Sequence, residues 1–109
     1  MKVYNKLVRD KIPQIIHAQG KTCNTRVLED AEYKAMLTAK LEEEMKEFLN
    51  ASEEEQLAEL ADIVEVIYAI VESKGKSLGE FESIRKTKEE QRGGFNDKLF
   101  LISVEDNKN

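Results

Sequence analysis

The sequence predicts an all-α fold built around a central helical hairpin. Two long segments, residues 29–50 and 53–73, carry apolar side chains at helical spacing and are separated by a very short connection. Such a connection makes the two helices antiparallel neighbours. The composition agrees with this prediction, because the chain has one Pro, no Trp and 6% aromatic residues. A small β pairing of the chain ends is the one addition that the pattern allows.

The first third of the chain gives weaker local signals. Residues 1–8 mix apolar and polar side chains and are expected as a strand or an extended arm. Asp10 can cap a short helix with Pro13 in its first turn, where the missing N–H costs nothing, and Gly20 ends that helix. Residues 23–28 are expected as an extended segment or a loop before the first long helix.

The later helices have clearer start signals. Ser52, followed three residues later by Glu55, forms a capping box for the helix at 53–73. The same pattern recurs before a third main helix at about 78–91. The apolar, branched segment at 98–104 is expected as a strand.

Composition and charge exclude several classes of protein. The 109 residues are expected to form one domain over 1–109, with a thin core because 40% are hydrophobic and 36% charged. A net charge of −5 argues against a nucleic-acid or anionic-membrane binder. No apolar run reaches the ~18–20 residues of a membrane span, so a cytoplasmic protein is expected. The single Cys23 cannot form an internal disulfide, and the single His17 cannot build a zinc site. Both are expected to be packing or surface residues.

Four carboxylates on the two long helices are the most informative feature. Glu44 and Glu47, and then Glu59 and Asp62, are spaced i, i+3, which places each pair on one helix face about 5–6 Å apart at Cβ. Glu44 precedes the hairpin turn by about as many residues as Glu59 follows it, so both lie roughly 11 Å from the turn. The two pairs are therefore expected at the same level of the hairpin.

The charge of this quartet allows two interpretations. Two like charges 4 Å apart repel by about 4 kcal/mol at an effective dielectric of 20, so a converging quartet needs a counter-charge. Oxygen-only ligands favour Mg²⁺ or Mn²⁺ over Zn²⁺. The alternative is a solvated acidic face, which is the usual meaning of Glu-rich helices and is accepted for Glu42 and residues 53–55. The pattern alone leaves both interpretations open for the quartet.

The acidic segments also resemble a known family. LEEEMKEF followed by ELADIVEVIYAI is similar to the EExxE…ExxD signature of the all-α nucleoside triphosphate pyrophosphohydrolases, which include MazG-type enzymes, dimeric dUTPases and phosphoribosyl-ATP pyrophosphohydrolase. In register, Glu43 and Glu44 match the EE pair and Glu47 the third Glu. Glu59 and Asp62 match the ExxD pair. The resemblance strengthens the prediction of a metal site at Glu44, Glu47, Glu59 and Asp62.

Two flanking blocks extend the resemblance over most of the chain. YNKLVRDKIP at 4–13 and KTKEEQRGGF at 86–95 resemble the small phosphoribosyl-ATP-pyrophosphohydrolase-like branch of this superfamily. The resemblance implies hydrolysis of a nucleotide between its α- and β-phosphates, which releases a monophosphate and pyrophosphate. Mg²⁺ would be held by the quartet, with Glu43 as a candidate general base. No residue indicates whether the base is a purine or a pyrimidine.

Basic residues in both flanking blocks are candidates for phosphate binding. Arg85, Lys88 and Arg92 continue the apolar stripe of the third main helix, which is expected to face the core. The backbone N–H groups of the glycine pair that follows can approach phosphate oxygens. The alternative is a helix C-terminus with favourable cations and a Gly cap. The expected substrate-binding residues are Lys6, Arg9, Lys88, Arg92, Gly93 and Gly94, of which Lys88 and Arg92 would also stabilise charge in the reaction.

The predicted assembly follows from the second long helix. Its apolar residues cover nearly the whole circumference, which is more than one neighbouring helix can bury. A homodimer or homotetramer is expected, built across residues such as Val66, Ile67 and Ile70. Two functional alternatives stay open. One is the phosphoribosyl-ATP pyrophosphohydrolase of histidine biosynthesis, and the other is a non-catalytic helical interaction protein.

Overall fold

The computed structural model describes residues 1–106 and confirms the all-α prediction. Its four helices are α1 (Ile12–Ala18), α2 (Asp30–Asn50), α3 (Glu53–Ser73) and α4 (Leu78–Arg92). No strand forms within residues 1–106, so the strand expected at 98–104 is wrong. A strand needs a hydrogen-bonded partner, and an apolar, branched sequence does not supply one. The first nine residues have no regular secondary structure and are called the N-terminal arm (residues 1–9).

The helix boundaries lie close to the predicted ones, whereas the side-chain caps do not form as expected. Ser52 is the N-cap of α3, and its carbonyl accepts hydrogen bonds from the N–H groups of Glu55 and Gln56 at 2.9 and 3.0 Å. The Ser52 hydroxyl makes no capping hydrogen bond, so only the position of the capping box is confirmed. The expected cap by Asp10 is wrong, because Lys11 is the N-cap residue of α1.

The hairpin of α2 and α3 is the centre of the fold. The two helices pack against each other and are joined through Ala51 and Ser52. The side-chain amide of Gln56 donates to the carbonyl of Phe48 at 3.5 Å and ties the two helices together beside the turn. Among residues 1–106, the buried apolar side chains are Leu37, Val66 and Val71, which are 3%, 8% and 9% exposed. The core is therefore as thin as the composition predicts.

One face of α3 is left exposed by the hairpin. This exposed stripe consists of Leu57, Leu60, Val64 and Tyr68, whose exposed fractions run from 77% at Leu57 to 38% at Tyr68. Val66, which the sequence placed in a subunit interface, is instead 8% exposed and belongs to the core of the hairpin. Ile67 and Ile70, the other residues of the predicted interface, are half-buried, so an assembly across α3 stays a prediction.

The chain packs as two compact units, Met1–Leu78 and Gly79–Asn109. The first unit contains the N-terminal arm, α1 and the hairpin. The second contains all of α4 but its first residue. None of the side chains of α4 is buried. In its predicted core-facing stripe Phe81 is half-buried, whereas Leu78 and Ile84 are exposed. The single domain over 1–109 stays a prediction. Among the described residues, no helix is both long enough and apolar enough to cross a membrane.

Candidate functional site

The hairpin brings three of the four predicted metal ligands together. Carboxylate oxygens of Glu44, Glu59 and Asp62 lie within 4.8 Å of one another, and we call these residues the acidic cluster. Glu44 follows the buried Leu37 by seven residues, and Glu59 precedes the buried Val66 by seven. Because seven residues are close to two helical turns, each glutamate lies on the same face as its core residue. The packing that buries the core therefore also makes these carboxylates converge.

Two oxygens of the acidic cluster are buried without a hydrogen-bond partner. They are Oε2 of Glu44 and Oε2 of Glu59. Glu44 is only 6% exposed, so hydration from bulk water does not compensate for the missing partner. A buried polar atom without a partner costs about 1–3 kcal/mol, and more when the group is charged. A divalent cation would satisfy both oxygens, and an all-carboxylate donor set suits Mg²⁺ or Mn²⁺.

Glu47, the fourth predicted ligand, lies outside this cluster of converging oxygens. It is exposed on α2, one turn after Glu44. Burial is the main factor that raises the pKa of Glu44 above its ordinary value, and the negative charge of Glu47 raises it further. Lys40 acts in the opposite direction. Glu47 therefore contributes to the electrostatics of the site, and its role as a ligand stays a prediction.

Lys40 is a site residue that the sequence interpretation missed. Its ammonium lies 3.4 Å from Oε1 of Glu44 and 3.6 Å from Oε2 of Glu43. The Lys40 side chain is 16% exposed, so these ion pairs are largely shielded from solvent. The signal was present in the sequence, because an i, i+4 pair of opposite charges on a helix is an ordinary ion-pair spacing.

The N-terminal arm pairs two of its cations with carboxylates of the hairpin. Nη2 of Arg9 donates to Oδ1 of Asp62 at 2.6 Å. The ammonium of Lys6 lies 3.6 Å from Oε1 of Glu43. Both were predicted to bind substrate phosphate, and the structure brings both to the carboxylates of the site.

A pocket of about 230 Å³ lies between the arm and α2. The arm contributes Asn5, whose backbone has a φ of 46° in the left-handed region. The pocket combines apolar side chains with two lysines and one glutamate, and is lined by Asn5, Lys6, Leu7, Met36, Ala39, Lys40 and Glu43. It adjoins the acidic cluster, because Lys40 contacts both Glu43 in the pocket wall and Glu44.

Both carboxylate oxygens of Glu43, the candidate general base, form ion pairs with lysines. Lys6 approaches Oε1 and Lys40 approaches Oε2, each at 3.6 Å. Its side chain is 33% exposed, so a water molecule can still reach it. To accept a proton, Glu43 must loosen one of these two ion pairs. Because the Lys6 side chain is 43% exposed and that of Lys40 is 16% exposed, the contact with Lys6 is the easier one to release.

The second unit carries the remaining predicted substrate-binding residues. Lys88 and Arg92 are exposed on α4, and neither makes an ion pair within the described part of the chain. Arg85 instead pairs with Glu82 and Glu89 of its own helix. The N–H of Gly93 donates to the carbonyl of Glu89 at 2.7 Å, with a φ of 80° at the glycine. In this structure Gly93 therefore caps α4, and its N–H is not available to a phosphate oxygen.

Cys23 and His17, two further residues of the first unit, contact each other. Sγ of Cys23 lies 3.8 Å from Nε2 of His17, at the end of α1. His17 is exposed and Cys23 is half-buried, in agreement with the expected packing or surface role.

Comparison with known proteins adds one partial relative. A protein of Mycolicibacterium smegmatis, described as an uncharacterized protein, is 55% identical over 42 residues. The matched segment is 38% of this chain and 43% of the relative, so the chain spans less than half of the length of that protein. No family model matches the chain, and no solved structure matches it.

Proposed function

We propose that this chain is a Mg²⁺-dependent nucleotide pyrophosphohydrolase. The observation that carries the proposal is the convergence of Glu44, Glu59 and Asp62, with two buried oxygens that lack a hydrogen-bond partner. A solvated acidic face would leave its carboxylates hydrated, whereas Glu44 is withdrawn from water. The resemblance of the two acidic segments to the EExxE…ExxD signature supports the same function.

The donor set fits a hard divalent ion. Glu44, Glu59 and Asp62 would hold Mg²⁺, with Mn²⁺ as a substitute. Glu47, whose charge acts on Glu44, would be the fourth ligand that the family resemblance implies. When bound, Mg²⁺ would supply positive charge for the phosphate oxygens of the substrate and would activate a water molecule. The residues of the hairpin fix the position of this charge, because α2 and α3 are packed against each other.

The proposed reaction hydrolyses an acid anhydride. A water oxygen forms a bond to one phosphorus of the α–β anhydride, and the bond between that phosphorus and the bridging oxygen breaks. The products are a nucleoside monophosphate and pyrophosphate. Glu43 would accept the proton of the water, while Lys88 and Arg92 would stabilise charge on the leaving phosphates. Cleavage at the α–β position follows from the family resemblance alone.

The non-catalytic alternative has a specific observation in its favour. The exposed stripe of α3 is an apolar surface that an interaction protein would use. The same stripe also serves a homodimer or homotetramer of an enzyme, so it does not decide between the two. The buried carboxylates do favour the enzyme, because an interaction surface has no need of them.

Product analysis tests the proposal. A panel of nucleoside triphosphates and phosphoribosyl-ATP is incubated with the protein and Mg²⁺ in water enriched in heavy oxygen, and the products are followed by phosphorus NMR. The expected products are pyrophosphate and a monophosphate, and the position of the label identifies the phosphorus that water attacks. Turnover of phosphoribosyl-ATP alone would favour the histidine-pathway enzyme. Orthophosphate with a diphosphate, or no turnover of any substrate, would contradict the proposal.

A further inference from the structure

The shorter of the two ion pairs between the N-terminal arm and the hairpin is made at the acidic cluster. The guanidinium of Arg9 donates one hydrogen bond of 2.6 Å to Oδ1 of Asp62, across a sequence separation of 53 residues. Asp62 is also one of the three residues whose oxygens converge within 4.8 Å. In this structure a side chain of the protein itself therefore supplies positive charge to a predicted metal ligand.

This guanidinium and a divalent cation would compete for the same carboxylate. Mg²⁺ binds its oxygen ligands at about 2.0–2.1 Å and demands near-octahedral geometry. An N–H donor that points at Oδ1 of Asp62 occupies one of the directions from which a cation would bind. The pair has a single hydrogen bond between one nitrogen and one oxygen. It therefore lacks the added strength and specificity of a bidentate arginine–carboxylate pair.

The arm is held in a way that allows its release. The side chains of Arg9 and Asp62 are 56% and 41% exposed, and ion pairs at such solvent-exposed sites contribute little to stability. The second ion pair of the arm, between Lys6 and Glu43, is longer at 3.6 Å and also exposed. The backbone of Arg9 is attached to the start of α1, because its carbonyl accepts a hydrogen bond from the N–H of Ile12 at 3.1 Å. The side chain can therefore leave Asp62 while the backbone stays attached to α1.

We propose that Arg9 is an internal cation that neutralises Asp62 until a divalent metal binds, and that its release couples metal binding to nucleotide capture. This inference rests on the proposed function and concerns the regulation of the same site. The metal ion displaces the guanidinium from Asp62. The freed guanidinium, together with Lys6 of the arm, then pairs with phosphate oxygens of the nucleotide. The arm thus favours metal and nucleotide together over metal alone.

The inference gives Arg9 opposite effects on the two ligands. In Arg9→Gln, Mn²⁺ alone should bind about two- to five-fold more tightly than in the wild type, because the competing ion pair is gone. A non-hydrolysable nucleotide analogue, added with saturating Mn²⁺, should bind more weakly to the same variant. Arg9→Lys, which retains the charge, should stay close to the wild type in Mn²⁺ affinity. Mn²⁺ binding is measured by electron paramagnetic resonance of the free ion, and analogue binding by calorimetry.

A matched control removes the general effect of charge. Lys11→Gln deletes one positive charge two residues away, at the exposed N-cap of α1, without removing a contact to the acidic cluster. If Arg9→Gln binds Mn²⁺ no more tightly than Lys11→Gln, the inference is overturned. A second variant, Glu44→Gln, tests the metal site independently of the role of Arg9. Loss of Mn²⁺ binding in Glu44→Gln supports the proposed metal site. If Glu44→Gln binds Mn²⁺ as tightly as the wild type, or if the wild type binds none, both proposals are overturned.

Discussion

Lys40 places its ammonium 3.4 Å from Oε1 of Glu44, one helical turn further along α2, and the two side chains are 16% and 8% exposed. The pair leaves Oε2 of Glu44 without a hydrogen-bond partner. A single lysine, shared with Glu43, therefore compensates only part of the charge that α2 buries. This incompletely compensated charge should lower the stability of the metal-free protein, which can be measured.

Replacing Glu44 should stabilise the metal-free protein at neutral pH. Burial, followed by the charge of Glu47, raises the pKa of Glu44 above its ordinary value of 4.5, so the native state holds this proton more tightly than the unfolded state. Stability is then lost as the pH rises from that ordinary value through the raised native pKa. Glu44→Gln stays neutral and avoids this loss. Its melting temperature should exceed that of the wild type at neutral pH, and the difference should disappear as the pH falls below 4.5.

The control for this experiment is Glu42→Gln, which removes one negative charge from an exposed position of the same helix. It should melt close to the wild type at all pH values. The remaining partner of Lys40 at 3.6 Å, Glu43, keeps that lysine paired in the Glu44 variant. A Glu44→Gln protein that melts below the wild type at neutral pH would show that the ion pair with Lys40 outweighs the burial of the charge.

Removal of either α3 ligand should abolish metal-dependent stabilisation. A ligand that binds only the native state raises the melting temperature with its concentration, so Mg²⁺ and Mn²⁺ should stabilise the wild type. In Asp62→Asn and Glu59→Gln the metal affinity should fall by more than about ten-fold, since even indirect partners of a metal contribute that much. Glu65→Gln, one turn further along α3 and exposed, is the matched control. Equal Mn²⁺-induced shifts in all three variants would contradict the assignment.

The sequence predicted the position of the acidic cluster because that position depends on helix geometry. Rise and rotation per residue are constant, so the level of Glu44 and Glu59 follows from their distances to the turn. The contact between Arg9 and Asp62 could not be predicted in this way. It depends on the path of the N-terminal arm, which includes a left-handed residue at Asn5 and has no periodicity. Likewise, the apolar pattern of α3 indicated an extra interface but could not say which face the hairpin would cover.

The exposed stripe of α3 predicts self-association. Val64 lies in the middle of this stripe and is 41% exposed, as is expected of a residue covered by a second copy of the chain. Sedimentation at micromolar concentration should show a homodimer or homotetramer. Val64→Glu should shift the protein towards monomer, since it places a charge inside the interface. Ala58→Glu adds the same charge at an exposed position of α3 outside the stripe and should leave the assembly unchanged. A monomeric wild type would contradict the prediction.

The last prediction concerns the predicted phosphate-binding lysine of α4. Lys88 is exposed and makes no ion pair among residues 1–106, so its ammonium is free to meet an anion. A charge that stabilises the leaving pyrophosphate acts in the transition state more than in the binding of metal. Lys88→Ala should therefore lower kcat/KM by about 10²-fold or more while Mn²⁺ affinity stays near that of the wild type.

Lys86→Ala is the matched control for Lys88→Ala. It removes the same charge from the same helix, two residues earlier and therefore on the opposite face. Its kcat/KM should stay within a few-fold of the wild type. Steady-state kinetics of pyrophosphate release, measured beside Mn²⁺ titrations of both variants, provide the comparison. Equal losses in the two variants would mean that α4 attracts nucleotide by its general charge. An unchanged Lys88→Ala would instead contradict a phosphate-binding role for Lys88 and leave Lys6, Arg9 and Lys40, which pair with carboxylates of the hairpin, as the candidate cations.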